Sequence, residues 1–231
     1  MPNHVTNRIF VTGPESEISE FKAAHVRMDL EGGKRFDFET VIPMPECIRR
    51  TESSSDAELG LVALGKAKPG EAENFLSYPW VASEGLRTVE ELRAWILRTR
   101  PEAVAKAEAG IHAIEETGHA DWYSWACAEW GTKWNAYSFR EGDAGDGYEF
   151  FFDTAWSWPK PVMEKLAGMW PDLVFECACY DEGGGFGGRG FLNAEPAFEI
   201  VEADDDLYEL VYGCPPEHWE EDEEEEEDET A

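Results

Sequence analysis

The sequence predicts an α+β fold in which one sheet is assembled from segments at the two ends of the chain. Two observations carry this prediction. Residues 4–11 alternate between two faces with period two, and residues 173–180 place Phe175, Cys177 and Cys179 on one face, as half-buried strands do. Residues 47–120 are instead Ala-rich and mixed polar, with apolar residues at helical spacing.

The first strand is expected over His4–Val11. A turn at 12–15 follows, and Ser16 can cap a helix that runs toward Met28. Residues 36–42 are expected to be extended and to stop at Pro43, because proline has no N–H to donate to a neighbouring strand.

Residues 47–120 are predicted to be a helical insertion. Thr88 and Glu91 form a capping-box pattern ahead of an apolar helix face, and Pro101 suits the first turn of a further helix that ends near Gly118.

The remaining elements complete the fold. Residues 134–156 resemble a β-hairpin with a turn-rich acidic loop at 141–147, followed by a helix over Lys160–Trp170 and a strand over Leu173–Tyr180. This order is the ferredoxin-like βαββαβ arrangement, with the insertion between its first helix and second strand. Residues 189–201 are expected to add a strand to the edge. The predicted domains are 1–46 with 121–212, the insertion 47–120, and a tail 213–231.

The charge is strongly negative, with 50 acidic and 19 basic residues and a net charge of −31. Residues 1–140 carry −6, residues 141–216 carry −14, and residues 217–231 add 11 acids without Lys or Arg. Such a field repels nucleic-acid phosphates and anionic membrane surfaces, so neither is an expected partner. Consecutive like charges in the tail also predict that it is disordered.

The cysteines and the N-terminus indicate a cytoplasmic protein. The 5 cysteines form no Cys-x-x-Cys pair, no secretory signal is recognisable, and no apolar stretch approaches the ~20 residues of a membrane span. The thiols are therefore expected to be reduced.

Several short motifs, in the same order, resemble the YubB family of Api-like proteins. They are Met1–Arg8, Phe36–Phe38 with Ile42–Glu46, Trp130–Ala136, Thr154–Ser157 with Pro159, and Tyr180–Glu182. The resemblance covers most of residues 1–200. It implies a ferredoxin-like fold and an origin in phages or plasmids, and it implies no activity, cofactor or catalytic residue.

An aromatic cluster is the first candidate site. Six of the 10 tryptophans lie between residues 122 and 158. A pocket between the sheet and the insertion would be lined by Trp130, Lys133, Trp134, Asn135 and Trp156. In the alternative interpretation Trp130 and Trp134 pack in the core, Gly131 permits a turn, and Lys133 points to solvent.

Three other motifs give weaker indications of a functional site. Asp181 and Glu182 could face a metal or act as an acid/base pair, but the histidines are scattered, so a strand-end turn is the expected interpretation. The glycine-rich segment 183–190 lacks the ending of a phosphate loop and indicates a flexible connection. Cys177 and Cys179 suit a core. We predict no metal, cofactor or catalytic residue.

These observations favour a non-enzymatic interaction protein of a phage or plasmid. It would present nucleic-acid-like negative charge to a basic protein partner, such as a host nucleic-acid-binding or defence protein. The alternative is a small-ligand-binding or enzymatic domain with the tryptophan-lined pocket, and direct RNA binding by the sheet ranks last. The predicted acidic surface consists of Glu141, Asp143, Asp146, Asp181, Glu182, Asp204, Asp205 and Asp206.

Overall fold

A computed structural model describes residues 3–28, 32–143 and 145–216. The strands are β1 (His4–Thr12), β2 (Val26–Met28), β3 (Lys34–Phe36), β4 (Tyr137–Glu141), β5 (Tyr148–Ala155), β6 (Val174–Asp181), β7 (Gly187–Leu192) and β8 (Glu199–Val201). The helices are α1 (Glu15–His25), α2 (Glu46–Arg49), α3 (Ser55–Leu64), α4 (Glu71–Leu76), α5 (Pro79–Ser83), α6 (Val89–Thr99), α7 (Pro101–Thr117), α8 (Trp122–Glu129), α9 (Lys160–Met169) and α10 (Asp205–Tyr212). A 3-10 turn spans Phe38–Thr40.

Six strands form one antiparallel sheet in the order β4-β5-β1-β6-β7-β8. The first strand therefore lies in the middle, between two strands that come much later in the chain. Strands β4, β5, β1 and β6 have the order expected of a βαββαβ sheet, with α1 and α9 as its two helices. The predicted α+β fold is confirmed.

The alternation predicted for β1 is observed, because its odd-numbered residues are buried from Val5 to Val11. This face of the sheet packs against α1 and α9, and Phe21 at the centre of α1 contacts the rings of Phe150 and Phe175. Burial of these large apolar side chains is the main source of stability of the sheet domain.

A second hydrophobic core lies among the helices between residues 55 and 103. Leu59, Val62, Leu92 and Ile96 are at its centre. The predicted capping box of α6 is present, with the Thr88 hydroxyl accepting from the N–H of Glu91. Gly60 lets α3 approach α7 closely, since a Cβ at this position would lie 1.9 Å from the carbonyl oxygen of Ala103.

Two early boundaries differ from the prediction. Helix α1 ends at His25, and residues 26–28 pair with 34–36 as a small hairpin instead of continuing the helix. Phe38–Thr40 forms a 3-10 turn where an extended segment was expected, because the Asp37 side chain accepts from the N–H of Glu39 and caps the turn.

The sheet also continues further than predicted after β6. Two strands and a helix follow, where one strand was expected. Helix α10 begins because the Asp204 carboxylate accepts from the N–H of Leu207 at 2.7 Å, and its buried Leu207 and Val211 cover Ala178 on the second face of the sheet.

Of the predicted disordered tail over 213–231, residues 217–231 lie outside the described residues, and the division into three domains stays a prediction. Among the helices that the structure describes, none is long and apolar enough to cross a membrane.

Candidate functional site

The aromatic cluster is organised by α8 and the turn after it. The Asp121 carboxylate caps α8 by accepting from the N–H of Ser124 at 2.7 Å. At the other end of the helix, Trp130 is buried and donates its indole N–H to the carbonyl oxygen of Ile42 at 2.9 Å. Gly131 then turns the chain with φ +76°, where a Cβ would lie 2.7 Å from Cδ of Pro161.

This turn places Lys133 among three aromatic rings. Its Nζ lies 4.5 Å from the ring centroid of Trp134, 5.0 Å from that of Trp156 and 5.8 Å from that of Tyr123. These distances are typical of cation–π contacts. Within residues 3–28, 32–143 and 145–216, no carboxylate forms an ion pair with Lys133. We call Tyr123, Lys133, Trp134 and Trp156 the Lys133 cage.

The cage borders an open cleft of about 470 Å³, which Ser53 and Trp122 also line. Trp134 is 37% exposed and Trp156 is 41% exposed, although both are large apolar residues. Trp156 also has a left-handed backbone with φ +73°, which is unfavourable for a bulky side chain. Its N–H donates to the carbonyl oxygen of Asn3 at 3.0 Å, which fixes this backbone at the end of β5.

Of the five residues predicted to line a pocket, Lys133, Trp134 and Trp156 line this cleft, and the other two do not. Trp130 is a core residue. The Asn135 amide donates to Asp37 Oδ1 at 2.6 Å and accepts from the N–H of Phe38 at 2.9 Å, so it fixes the 3-10 turn.

Ser53, Trp122 and Tyr123 also line the cleft and were not among the residues predicted from the sequence to line a pocket. Tyr123 could have been found as a member of the aromatic run that opens α8, whereas nothing in the sequence around Ser53 indicates its position beside the cleft.

A second groove, of about 570 Å³, begins on the other side of Trp156. Trp158 and Phe198 stack at its base with ring centroids 4.3 Å apart. Its outer wall is β8, where Ile200 is exposed, and the carboxylates of Glu164 and Glu199 lie on its lining. Trp156 therefore lines both the cleft and the second groove.

The predicted acidic surface is divided by the central strand. The loop carrying Glu141, Asp143 and Asp146 lies at the end of β1 where Val11 pairs with Tyr148. Asp181 pairs with Val5 near the opposite end, about 20 Å away at the usual rise of a strand. These two groups of carboxylates therefore do not form one surface.

Two members of that surface are engaged within the fold. Asp181 is only 5% exposed, so its expected place on the surface is corrected: its oxygens lie 3.4 Å from the Asn3 amide nitrogen and 3.1 Å from the N–H of Gly185. Glu141 lies 2.6 Å from Nζ of Lys34, and this ammonium holds the pKa of the Glu141 carboxyl below its usual range.

Glu182, the second residue of the Asp181–Glu182 motif, lies in the turn after β6. Glu182 accepts from the backbone N–H of His4 at 2.7 Å, as a strand-end residue would. Across the described residues, no group of His, Cys, Asp and Glu side chains is arranged to hold a metal ion.

The glycine-rich segment 183–190 forms a turn that leads into strand β7 at Gly187, so its second half differs from the flexible connection that we expected. Gly187 and Gly188 are buried in β7. A Cβ on Gly187 would lie 2.1 Å from the Leu207 side chain, and one on Gly188 would lie 2.5 Å from the Phe198 ring. The glycines are therefore needed because α10 and Phe198 approach β7 closely from its two faces.

Cys177 and Cys179 are buried in β6, and burial raises the pKa of the Cys179 thiol to about 12 and raises that of Cys177 as well. Both are core residues, as predicted. A thiol with a raised pKa is a poor nucleophile at neutral pH.

The acidic residues that do lie together are at the end of the described chain. We call Glu195, Glu199, Glu202, Asp204, Asp205, Asp206 and Glu209 the C-terminal acidic edge; all are exposed. They lie on β8, α10 and the segments around them. Between residues 176 and 216 the sequence has ten acidic residues and one basic residue, Arg189, whose guanidinium lies 3.9 Å from Asp204.

Part of the chain is similar to a known protein family. Residues 129–231 match the family model described as the ferredoxin-like domain in Api92-like protein. The crystal structure of the protein Api92 from Yersinia pseudotuberculosis is also similar, with 10% identity, 88% of this chain and 99% of that chain covered, and a TM-score of 0.41. No curated protein sequence matches. The resemblance to Api-like proteins is confirmed, since residues 129–231 are similar to the ferredoxin-like domain of Api92-like proteins.

Proposed function

We propose that this protein is a non-enzymatic interaction protein that binds a basic surface of a protein partner through its C-terminal acidic edge. The observation that carries the proposal is the separation of charge: the seven exposed acidic residues of the C-terminal acidic edge lie on β8, α10 and the segments around them, and Arg189 is the one basic residue between positions 176 and 216.

The position of the edge supports this function. Clustered charges of one sign create a potential that attracts an oppositely charged protein and raises its rate of association. Strand β8 and helix α10 hold the edge on a folded platform, so its carboxylates have fixed relative positions. The 11 acidic residues of 217–231 follow directly in the sequence and add to the same charge.

The partner class follows from the same charge. A surface rich in carboxylates has the same sign of charge as the phosphate backbone of a nucleic acid, so it suits a protein that normally binds DNA or RNA. We infer a host nucleic-acid-binding or defence protein as the partner, and a phage or plasmid as the origin of this protein.

The experiment compares two variants with equal net charge. One neutralises the edge with Glu199→Gln, Glu202→Gln, Asp206→Asn and Glu209→Gln. The control neutralises four exposed acids on the helices of 71–117 with Glu73→Gln, Glu90→Gln, Glu108→Gln and Glu115→Gln. Binding to a panel of purified bacterial DNA-binding proteins is measured with and without competing duplex DNA.

The proposal predicts that the wild type and the control bind the same panel member, that duplex DNA competes, and that affinity falls steeply between about 50 and 200 mM salt. The edge variant should bind at least about tenfold more weakly than the control, since several charge pairs would be lost together. Equal loss in both variants would mean that only net charge matters, and it would refute the edge as the binding surface.

A small-ligand function is the second candidate, and the Lys133 cage is the specific observation that favours it. The cage borders an open cleft that has aromatic walls and contains the Lys133 ammonium, and a mainly aromatic lining with few polar groups is typical of ligand sites.

A further inference from the structure

We propose that the Lys133 cage is a binding site for an alkylammonium group, and that Lys133 occupies it as an internal substitute for that ligand. This inference is independent of the proposed interaction with a basic partner. It concerns a different surface and a different interaction, the attraction of a cation to aromatic faces.

The class of ligand follows from what the cage already holds. An aromatic face carries partial negative charge, so it attracts an ammonium group without a carboxylate. Three rings surround the Lys133 ammonium at 4.5, 5.0 and 5.8 Å. The chain itself thus shows that this arrangement accommodates an alkylammonium head on an aliphatic stem.

The Lys133 side chain can leave the cage. Lys133 is a long, flexible side chain that is only partly buried, and within the described ranges no carboxylate pairs with its ammonium. Cation–π contacts at an exposed site are weak because water competes for the ammonium, so Lys133 can be released into water. The cleft of about 470 Å³ then has room for the head group of an external ligand.

The backbone at Trp156 gives independent support. A bulky residue with φ near +73° costs about 1–2 kcal/mol relative to a right-handed or extended conformation. Full burial of the indole would offset this cost, but the side chain is 41% exposed. The strained backbone instead holds the indole against Lys133 and edge-on to Tyr123, with centroids 6.1 Å apart. Strain that burial does not explain is a feature of binding sites.

The surroundings favour weakly hydrated cations. The net charge of −31 raises the local concentration of any cation, while none of the described carboxylates lines the cleft. Recognition by rings alone favours a quaternary ammonium, which loses little hydration, over a primary amine or a metal ion. The same group occurs in free choline and in a trimethylated lysine side chain.

The experiment uses the full chain and three probes. Choline is compared with 3,3-dimethyl-1-butanol, a neutral molecule of the same shape, and with a capped trimethyllysine. Binding to the wild type and to Lys133→Met, which keeps a flexible apolar stem and removes the charge, is followed by the intrinsic tryptophan fluorescence and by calorimetry. Lys133→Gln is the second variant, in case the first does not fold.

We expect Lys133→Met to bind choline about tenfold more tightly than the wild type. This ratio corresponds to a wild-type site from which Lys133 is absent about a tenth of the time. Replacing Trp134 or Trp156 by Ala in that background should abolish binding, and the neutral alcohol should not bind. Tighter binding of trimethyllysine than of choline would identify a side chain as the source of the ligand, and the reverse would identify a small molecule.

The proposal is overturned if folded Lys133→Met and Lys133→Gln do not bind choline, if the neutral alcohol binds equally well, or if binding survives loss of the two indoles. In each of these cases Lys133 is part of the fold and not a substitute. The four-site variant of the C-terminal acidic edge should bind choline like the wild type, so failure of one proposal leaves the other intact.

Discussion

The indole N–H of Trp170 donates to Nε2 of His25 at 2.9 Å, and this contact fixes the neutral form of the imidazole. Because Nε2 accepts, Nδ1 carries the proton and donates to the Thr40 hydroxyl at 2.7 Å, which in turn donates to the carbonyl oxygen of Asp37 at 2.6 Å. Helix α1, the 3-10 turn and the end of α9 are joined through this one buried ring.

The burial of His25 makes the free energy of unfolding depend on pH. Burial, with a smaller contribution from the positive charge of Arg27, lowers the pKa of His25 from 6.5 to about 4. The unfolded chain therefore binds a proton that the folded chain excludes, and the free energy of unfolding falls as the pH drops from 6.5 to 4. For a side chain that is only 1% exposed, the loss amounts to about 3 kcal/mol.

The measurement is urea unfolding from pH 7.5 downward, with His25→Gln as the control. Many carboxylates also titrate in this range, but they are common to both proteins. We expect the stability advantage of the wild type over His25→Gln to shrink by about 3 kcal/mol between neutral pH and pH ~4. A constant difference would show that the pKa of His25 is the same in the folded and the unfolded chain.

Two helical glycines should respond in opposite ways to alanine. Gly60→Ala places a Cβ 1.9 Å from the carbonyl oxygen of Ala103, so α3 and α7 must separate and the free energy of unfolding should fall by about 3 kcal/mol. Gly168→Ala in α9 meets no atom within 4 Å and should stabilise the protein by about 0.5–1 kcal/mol. Thermal unfolding of both variants tests the pair, and the same sign for both would contradict the close helix contact.

The strain at Trp156 can be measured without any ligand. Trp156→Gly and Trp156→Ala both remove the ring contacts, but only glycine adopts φ +73° freely. Trp156→Gly should therefore be more stable than Trp156→Ala by about 0.5–1 kcal/mol, although glycine increases the entropy of the unfolded chain. Equal stability, or a more stable alanine variant, would mean that the backbone relaxes.

Asn135 should act through its hydrogen bonds to the 37–38 turn. Asn135→Ala leaves the N–H of Phe38 and the carboxylate of Asp37 without this partner, and should cost about 2 kcal/mol in chemical unfolding. Asn135→Asp retains an acceptor for Phe38 but places a second carboxylate next to Asp37. Its stability should recover at low pH, when one of the two is protonated, whereas that of Asn135→Ala should not.

Much of the fold could be predicted from sequence because local patterns determine it. Period two identified β1 and β6, and the Thr88 capping box identified the start of α6. Helix α10 was missed because four of the five residues at 202–206 are acidic, so the segment was not recognised as amphipathic. Its apolar pair, Leu207 and Val211, is buried only because it packs on Ala178, which is distant in the sequence. Sequence patterns do not show which residues a sheet leaves uncovered.

The candidate site was predictable in composition but not in geometry. Trp130 and Trp134 are one helical turn apart and chemically identical, yet one is buried and the other is exposed. The difference arises at Gly131, whose positive φ reverses the chain between them. Similarly, Glu141 and Glu182 were grouped by charge, although the register of β1 places them at opposite ends of one strand.

That central strand also constrains how the chain can fold. β1 is synthesised first, but its partners on both sides come late, since Asn7 lies opposite Phe152 on one side and Cys179 on the other. The helices around α3, α6 and α7 have short-range contacts and their own core, so we expect them to form early. Until residues 148–181 leave the ribosome, β1 has two unpaired edges and an exposed apolar face, so we expect the nascent chain to need protection from aggregation during synthesis.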